Sequence, residues 1–330
     1  MEVPPMSTAT TPKSATTTAA AATDGRRRRQ LLDLDDCARA EIADILETAA
    51  AMKELLARSI KQAPALRGMN VATLFFGADA DTRLSFELAA RSLSANVITA
   101  GEQGIQRGES LPSIARTLYA LGVDLLVVRH DEAGAPYLIA QHFGGGLING
   151  GDGHHAHPTQ ALANLFTIQQ KLSWLDHLKV VIVGDVLHSA VARSMLWGLG
   201  TMGAQIVLCA PHTLLGPATF WKAVWPRLTI STDLEECLVK ADAVISLPLR
   251  NERIQAGLLP SLREYGRFFG LTAERLQRAA PHCLVLHHGP VREGVEMMPD
   301  VIATTQAAIA DQITNAVAVR MAVLYRLAGG

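Results

Sequence analysis

The chain has 330 residues, 49% of them hydrophobic and 18% charged, enough for two domains with sizeable cores. Its formal net charge of −1 gives no reason to expect nucleic acid or an anionic membrane as partner, and no apolar run reaches the ~18 residues of a transmembrane helix. Cys37, Cys209, Cys237 and Cys283 are scattered without a CxxC pair, which argues against a zinc knot or disulfide framework and for a reducing, cytoplasmic compartment.

Residues 1–28 read as a disordered tail, rich in Ala and Thr with Pro4, Pro5 and Pro12 and running into Arg26–Arg29. A transit peptide is the alternative, weakened by Glu2 and the early prolines. Leu34-Asp35-Asp36 reads as the cap of an amphipathic helix over 38–56. Asn70–Phe76 is a short apolar run typical of a buried strand, followed by a loop at 77–81 and a helix over 82–92. Strands at 97–99, 124–129 and 146–149 and a helix over 113–121 complete a first alternating unit. Residues 157–171 form a long helix. The pattern then restarts with strands at 180–183, 205–209, 243–246 and 284–286, helices over 190–199 and 234–240, and a closing helix over 307–327. Strands alternating with helices predict parallel sheets covered on both faces. The fold class is therefore α/β, with two doubly wound parallel-sheet domains joined by a long helix. The expected division is 29–156, a connecting helix 157–172, 173–305, and a last helical segment 306–330.

Five ordered segments carry a family pattern: Phe75-Phe76 with Thr82–Glu87; Arg107-Gly108-Glu109; Arg129-His130; Gly151-Asp152-Gly153 with His157–Leu162; and His287 with Gly289-Pro290 and Gly294-Val295-Glu296. Together they resemble the aspartate/ornithine carbamoyltransferase superfamily. Asn149 before GDG, HPTQAL, Gly184–Ser189, Val191–Ser194 and Gln312–Asn315 favour the aspartate branch. The resemblance implies a carbamoyl phosphate domain followed by an aspartate domain, with the last helix packing back on the first. It also implies a homotrimer sharing active sites between neighbours, no metal or organic cofactor, and carbamoyl transfer to aspartate in pyrimidine synthesis.

Such chemistry needs backbone N–H groups, a helix N-terminus and cations for the phosphate and the carbonyl oxygen, and a second cationic patch for a dicarboxylate amine. By resemblance Arg129 and His157 are the catalytic pair, each able to polarise the carbonyl oxygen. Gln160 meets the amino group, Thr82 a phosphate oxygen, and Gly289-Pro290 the carbamoyl amine through backbone carbonyls. Arg107 matches a loop lysine lent to the neighbouring subunit.

Other family positions are replaced. The phosphate-binding serine, threonine and first arginine fall on Asp79, Ala80 and Asp81, and a loop serine is missing near Gln103. The arginine after His188-Ser189 is Ala190. A later arginine is Pro248, its neighbouring glutamine is Arg250, which could hold a carboxylate from a shifted position, and His288 replaces a proline. One lost charge-assisted hydrogen bond costs roughly 1.5–3 kcal/mol, and two carboxylates facing a phosphate would oppose it further. This reasoning predicts a degenerate active site: an impaired or inactive pseudoenzyme serving as a structural or regulatory subunit, with dihydroorotase or an active paralogue as partner. Two alternatives stand beside it. One is an active aspartate carbamoyltransferase with a rearranged site built on Arg107, Arg129, His157, Gln160 and Arg250. The other is a binder or transferase for a less anionic ligand. Asp79 and Asp81 are expected to cap the helix that follows them, in preference to gathering a metal ion with His157 or Glu87.

Overall fold

The computed structural model describes residues 30–77, 80–101, 109–249 and 257–330. Arg107, Arg250, Asp79, Gln103 and the 1–28 tail lie outside them.

Two five-stranded parallel sheets form the framework. The first comprises β1 (Gln30–Leu31), β2 (Asn70–Phe75), β3 (Asn96–Gly101), β4 (Leu125–His130) and β5 (Gly146–Asp152), in the order β1-β5-β4-β2-β3. The second comprises β6 (Lys179–Val183), β7 (Gln205–Cys209), β8 (Thr229–Ser231), β9 (Ala243–Ser246) and β10 (Leu284–His287), in the order β10-β9-β6-β7-β8. The central strands are apolar on both sides because helices cover both faces of each sheet. In β2, Val71 and Phe75 enter the large core that runs through both units, while Ala72 and Leu74 face a smaller one with Ile114, Ile139 and Phe143.

Helices α1 (Arg39–Leu56), α2 (Ala80–Ser92), α3 (Leu111–Ala120) and α4 (Ala135–Ala140) belong to the first unit. Helix α5 (Pro158–Leu172) bridges to the second, where α6 (Ala190–Thr201), α7 (His212–Leu215), α8 (Ala218–Val224) and α9 (Leu234–Leu238) follow. Burial of α5 is almost continuous from Ala161 to Ile168, so it lacks the polar face of a surface helix. The reason is the C-terminal helix, Ile309–Leu327, which returns to pack on α1, α2 and α5.

Each sheet reverses its strand order once, between β2 and β4 in the first and between β6 and β9 in the second. In open α/β sheets such a reversal leaves a crevice at the carboxyl ends of the strands, where ligands bind. Phe75 and Arg129 stand at the first crevice, Val183 and Ser246 at the second.

Some local expectations need correction. Helix α1 is capped by Ala38 without a side-chain bond, so the Asp35-Asp36 cap is not used. Helix α2 begins at Ala80, two residues before the expected start, which puts Asp81 exposed in its first turn, where the dipole favours a carboxylate. Glu87 Oε1 accepts hydrogen bonds from Thr99 (2.9 Å) and Thr73 (3.4 Å), tying α2 to the strands beneath. All four cysteines are buried and reduced.

Candidate active site

The first crevice is shaped by an irregularity between β4 and β5. Val128 pairs with Asn149 but His130 pairs with Asp152, so β5 carries one extra residue opposite Arg129. Two successive glycines, Gly150 and Gly151, allow this bulge. Gly151 has a φ of +124°, and a Cβ there would collide with the Arg129 guanidinium and approach the His157 ring. The guanidinium therefore lies across bare backbone and donates from Nη1 to the Gly150 carbonyl at 2.9 Å. A bulge that re-aims one cation at the mouth of a parallel sheet is a device for a binding site.

Asp152 holds the next turn. Its fully buried carboxylate accepts from Asn149 Nδ2 (3.0 Å), Ala156 N (2.9 Å), Gly134 N (2.8 Å) and the His155 ring (3.1 Å). His155 is thus half-buried and paired, and its bond to Asp152 raises its pKa. Asn149 Oδ1 in turn accepts from Gly151 N at 2.8 Å, so strand end, bulge and turn form one bonded unit.

His157 closes that unit as the N-cap of α5, with 6% of its surface exposed. Burial, then the Arg129 and Arg320 charges and His288, hold its imidazole well below the ordinary histidine range. It is a neutral ring near neutral pH, with Nδ1 buried and without a hydrogen-bond partner among the described residues. Its backbone N–H donates to Ser194 Oγ (2.9 Å), and that hydroxyl donates to Asp33 Oδ1 (2.6 Å). The chain start, α5 and α6 thereby meet at one point.

Burial pushes the Asp33 carboxyl up to about 6, against the opposing hydrogen bonds from Ser194 and the Leu34 backbone. The folded chain then holds this proton more tightly than the unfolded chain, whose value is near 3.8. The stabilisation is complete below the unfolded value and lost as pH rises through 6. Asp33→Asn keeps an acceptor for Ser194 and removes the ionisation. The expected outcome, read by thermal melting, is a smaller drop in melting temperature between pH 5 and pH 7.5 than in the unaltered protein.

Of the other expected groups, Thr82 is buried in the first turn of α2. Gln160 sits in the first turn of α5, its Nε2 within 3.4 Å of Asn164 Oδ1. Gly289 and Pro290 follow β10 in a turn fixed by Glu296. That buried carboxylate accepts from Leu249 N (2.7 Å), Arg292 N (2.8 Å) and His287 Nε2 (3.1 Å). Burial pushes it up, but the His287, Leu249 and Arg292 bonds outweigh this and hold it below the usual carboxylate value. The same bonds tie the loop after β9, which carries Pro248, to the turn after β10. Ala190 opens α6 behind the Ser189 cap, at the second crevice. Asp185 binds the His188 ring within the second unit (2.7 Å).

Sequence reasoning missed Arg320. This arginine comes from the C-terminal helix, is 3% exposed, and donates to Ser85 Oγ on α2 and to Gln160 Oε1 on α5 (3.3 Å). The signal was a lone cation within the apolar run Ala316–Leu324, since a buried cation needs specific partners.

The carbamoyl-P binding domain of aspartate/ornithine carbamoyltransferases matches residues 29–170, and the Asp/Orn binding domain matches residues 176–327. The chain belongs to the aspartate/ornithine carbamoyltransferase family. It is 60% identical over 301 residues to the aspartate carbamoyltransferase catalytic subunit of Roseiflexus castenholzii, covering 91% of this chain and 95% of that one. With the corresponding subunit of Chloroflexus aurantiacus it shares 56% over 300 residues, 90% and 97% of the two chains. Among solved structures, ornithine carbamoyltransferase from Pyrococcus furiosus superposes with a TM-score of 0.81 at 27% identity, covering 92% and 98% of the chains. Aspartate transcarbamoylase from Trypanosoma cruzi in complex with N-(phosphonacetyl)-L-aspartic acid gives 0.81 at 25%, covering 91% and 96%.

These relatives overturn the expectation of a degenerate site in an impaired or inactive pseudoenzyme with a structural or regulatory role. A family member this similar to catalytic subunits along nine-tenths of its length is an enzyme-like chain. The expectation rested on the replaced positions, chiefly 79–81 with Ala190 and Pro248, whereas the groups at the first crevice come from other elements. Arg129, His157 and the glycine bulge are built by β4, β5 and α5, with hydrogen bonds to the Gly150 carbonyl, Asn149 and Ser194.

Proposed function

We propose that the protein is an active aspartate carbamoyltransferase, forming N-carbamoyl-L-aspartate and phosphate from carbamoyl phosphate and L-aspartate with a rearranged site. Its likeness to catalytic subunits supports this reading. The observation that carries it is the pair at the first crevice: a fixed guanidinium, Arg129, beside a neutral buried imidazole, His157. In carbamoyl transfer the amine of aspartate attacks the carbamoyl carbon, and negative charge grows on the carbonyl oxygen. Two preset donors, one charged and one neutral, stabilise that oxygen without reorganising. The neutral ring matters because a donor held uncharged adds no second cation to draw the phosphate away from its own subsite.

The phosphate is assigned to Thr82 and the N–H groups of the first turn of α2, with Arg107 reaching in from a neighbouring subunit. Gly289 and Pro290 receive the carbamoyl amine, Gln160 the amino group, and Arg250 a carboxylate of aspartate in place of the arginines replaced by Ala190 and Pro248. The assembly proposed is a homotrimer. On α2, Leu84 and Leu88 lie one turn apart, 58% and 52% exposed, and Ile98 on the edge strand β3 is 39% exposed, an apolar surface suited to a neighbouring copy. The compartment proposed is the cytoplasm; among the described residues no helix is long and apolar enough to cross a membrane.

The test is a colorimetric assay for carbamoyl aspartate with purified protein. Product that depends on both substrates supports the reading; none at high enzyme concentration, with no calorimetric binding of carbamoyl phosphate, rejects it. The rearranged turn makes its own prediction. Asp79→Ser with Asp81→Arg removes two carboxylates and restores a cation and a hydroxyl, so carbamoyl phosphate should bind at least ten times more tightly by calorimetry, about 1.4 kcal/mol.

A further inference from the structure

We propose that Arg320 is a positioning residue for this reaction, holding Gln160 and Ser85 in place from the C-terminal helix. The inference rests on the carbamoyl transfer reading and adds a group that touches no substrate. Arg320 is nearly without solvent contact and bridges two helices that both begin at the crevice. Its guanidinium donates to Ser85 Oγ on α2, which carries the phosphate side, and to Gln160 Oε1 on α5, which carries the amine side. It also lies over the Phe86 ring, 5.0 Å from the centroid, which fixes its plane.

The tether continues beyond Gln160. Gln160 Nε2 approaches Asn164 Oδ1 (3.4 Å), which also accepts from Gln312 Nε2 (2.9 Å), and Gln312 Oε1 accepts from the backbone N–H of His287 (2.8 Å). One polar chain thus runs from the end of β10, through the C-terminal helix and α5, to α2. The amide of Gln160 is held at both ends. Its Oε1 has two lone pairs; Arg320 takes one and leaves the other for the amino group of substrate. The charge has a second consequence. Facing His157 are Arg129 from β4, Arg320 from the C-terminal helix and His288 from the turn after β10, and each opposes protonation of the ring.

Arg320→Met removes tether and charge together, while Arg320→Lys keeps the charge and loses the planar fork. Arg326→Met, on the same helix with a surface partner, Asp44, serves as control. Steady-state kinetics with each substrate varied are combined with a titration of His157 followed by NMR of protein carrying isotope-labelled histidine. The expected result for Arg320→Met is a KM for aspartate at least ten times higher and a His157 midpoint moved toward higher pH. Arg320→Lys should restore the midpoint but not the KM, and Arg326→Met should change neither. A folded Arg320→Met with the unaltered KM and midpoint overturns the proposal. If that variant does not fold, an unchanged KM for aspartate in Arg320→Lys overturns it instead. An unaltered protein that makes no product and binds no carbamoyl phosphate rejects the functional reading itself, whereas an active one matched by both variants rejects only the role of Arg320.

Discussion

Arg129→Met should lower kcat by roughly two to three orders of magnitude, the usual consequence of removing one preset donor from a developing oxyanion. The guanidinium is placed by the bulge of β5 and by its bond to the Gly150 carbonyl, so it meets substrate without first paying to become ordered. A methionine fills much of the same volume and makes neither bond. Arg129→Lys should recover only part of the loss, because an ammonium on a flexible stem cannot hold the carbonyl of Gly150 and a substrate oxygen in one plane. Turnover in the carbamoyl aspartate assay, beside melting curves showing that each variant is folded, measures the effect. Activity within threefold of the unaltered enzyme would remove Arg129 from the chemistry.

The largest effect on stability is expected at Asp152. Asp152→Ala leaves one N–H of the Asn149 amide, which keeps its bond to the Leu32 carbonyl, and the backbone N–H groups of Gly134 and Ala156 without the fully buried carboxylate that accepts from them. Stranding the partners of one buried charge costs about 3–5 kcal/mol. At a few degrees per kcal/mol for a domain of this size, the melting temperature should fall by about 10 °C. Asp152→Asn keeps one oxygen for the same donors but turns an NH2 group toward the rest, so it should lie between Asp152→Ala and the unaltered protein. Both variants should lose activity in proportion to the folded fraction, since the turn carries Gly151 and His157. A drop of less than 2 °C for Asp152→Ala would show that the turn is held by other contacts.

The parts of the fold legible in the sequence were those set by short-range pattern. The strands at 205–209 and 243–246 read correctly to the residue, because apolar runs buried on both faces leave no competing period. The two-residue strand β1 and the short helices α4, α7 and α8 were missed, since a turn or two of helix buries too few side chains to leave a period. At the site, the segments carrying Arg129, His157 and Gln160 stood out as motifs. The bulge did not, because it is a relation between two strands, although the Gly150-Gly151 pair opposite Arg129 was its trace. Arg320 was hidden for a similar reason. In sequence it is one basic residue in a helix, and only the return of that helix to α2 and α5 makes it part of the site. The turn at 79–81 misled in the opposite sense. Its substitutions are plain in the sequence, but the groups that β4, β5 and α5 bring to the first crevice are not.

The returning helix also imposes an order of events during synthesis. The apolar sides of α1, α2 and α5 are covered by residues 309–327, which leave the ribosome only after every strand of the second sheet. For that interval the amino-terminal half is a nascent chain with an open flank, attractive to chaperones and vulnerable to aggregation. On the proposed function, carbamoyl transfer would have to wait for that helix: the unit proposed to seat the phosphate is completed by a segment made after the whole second sheet.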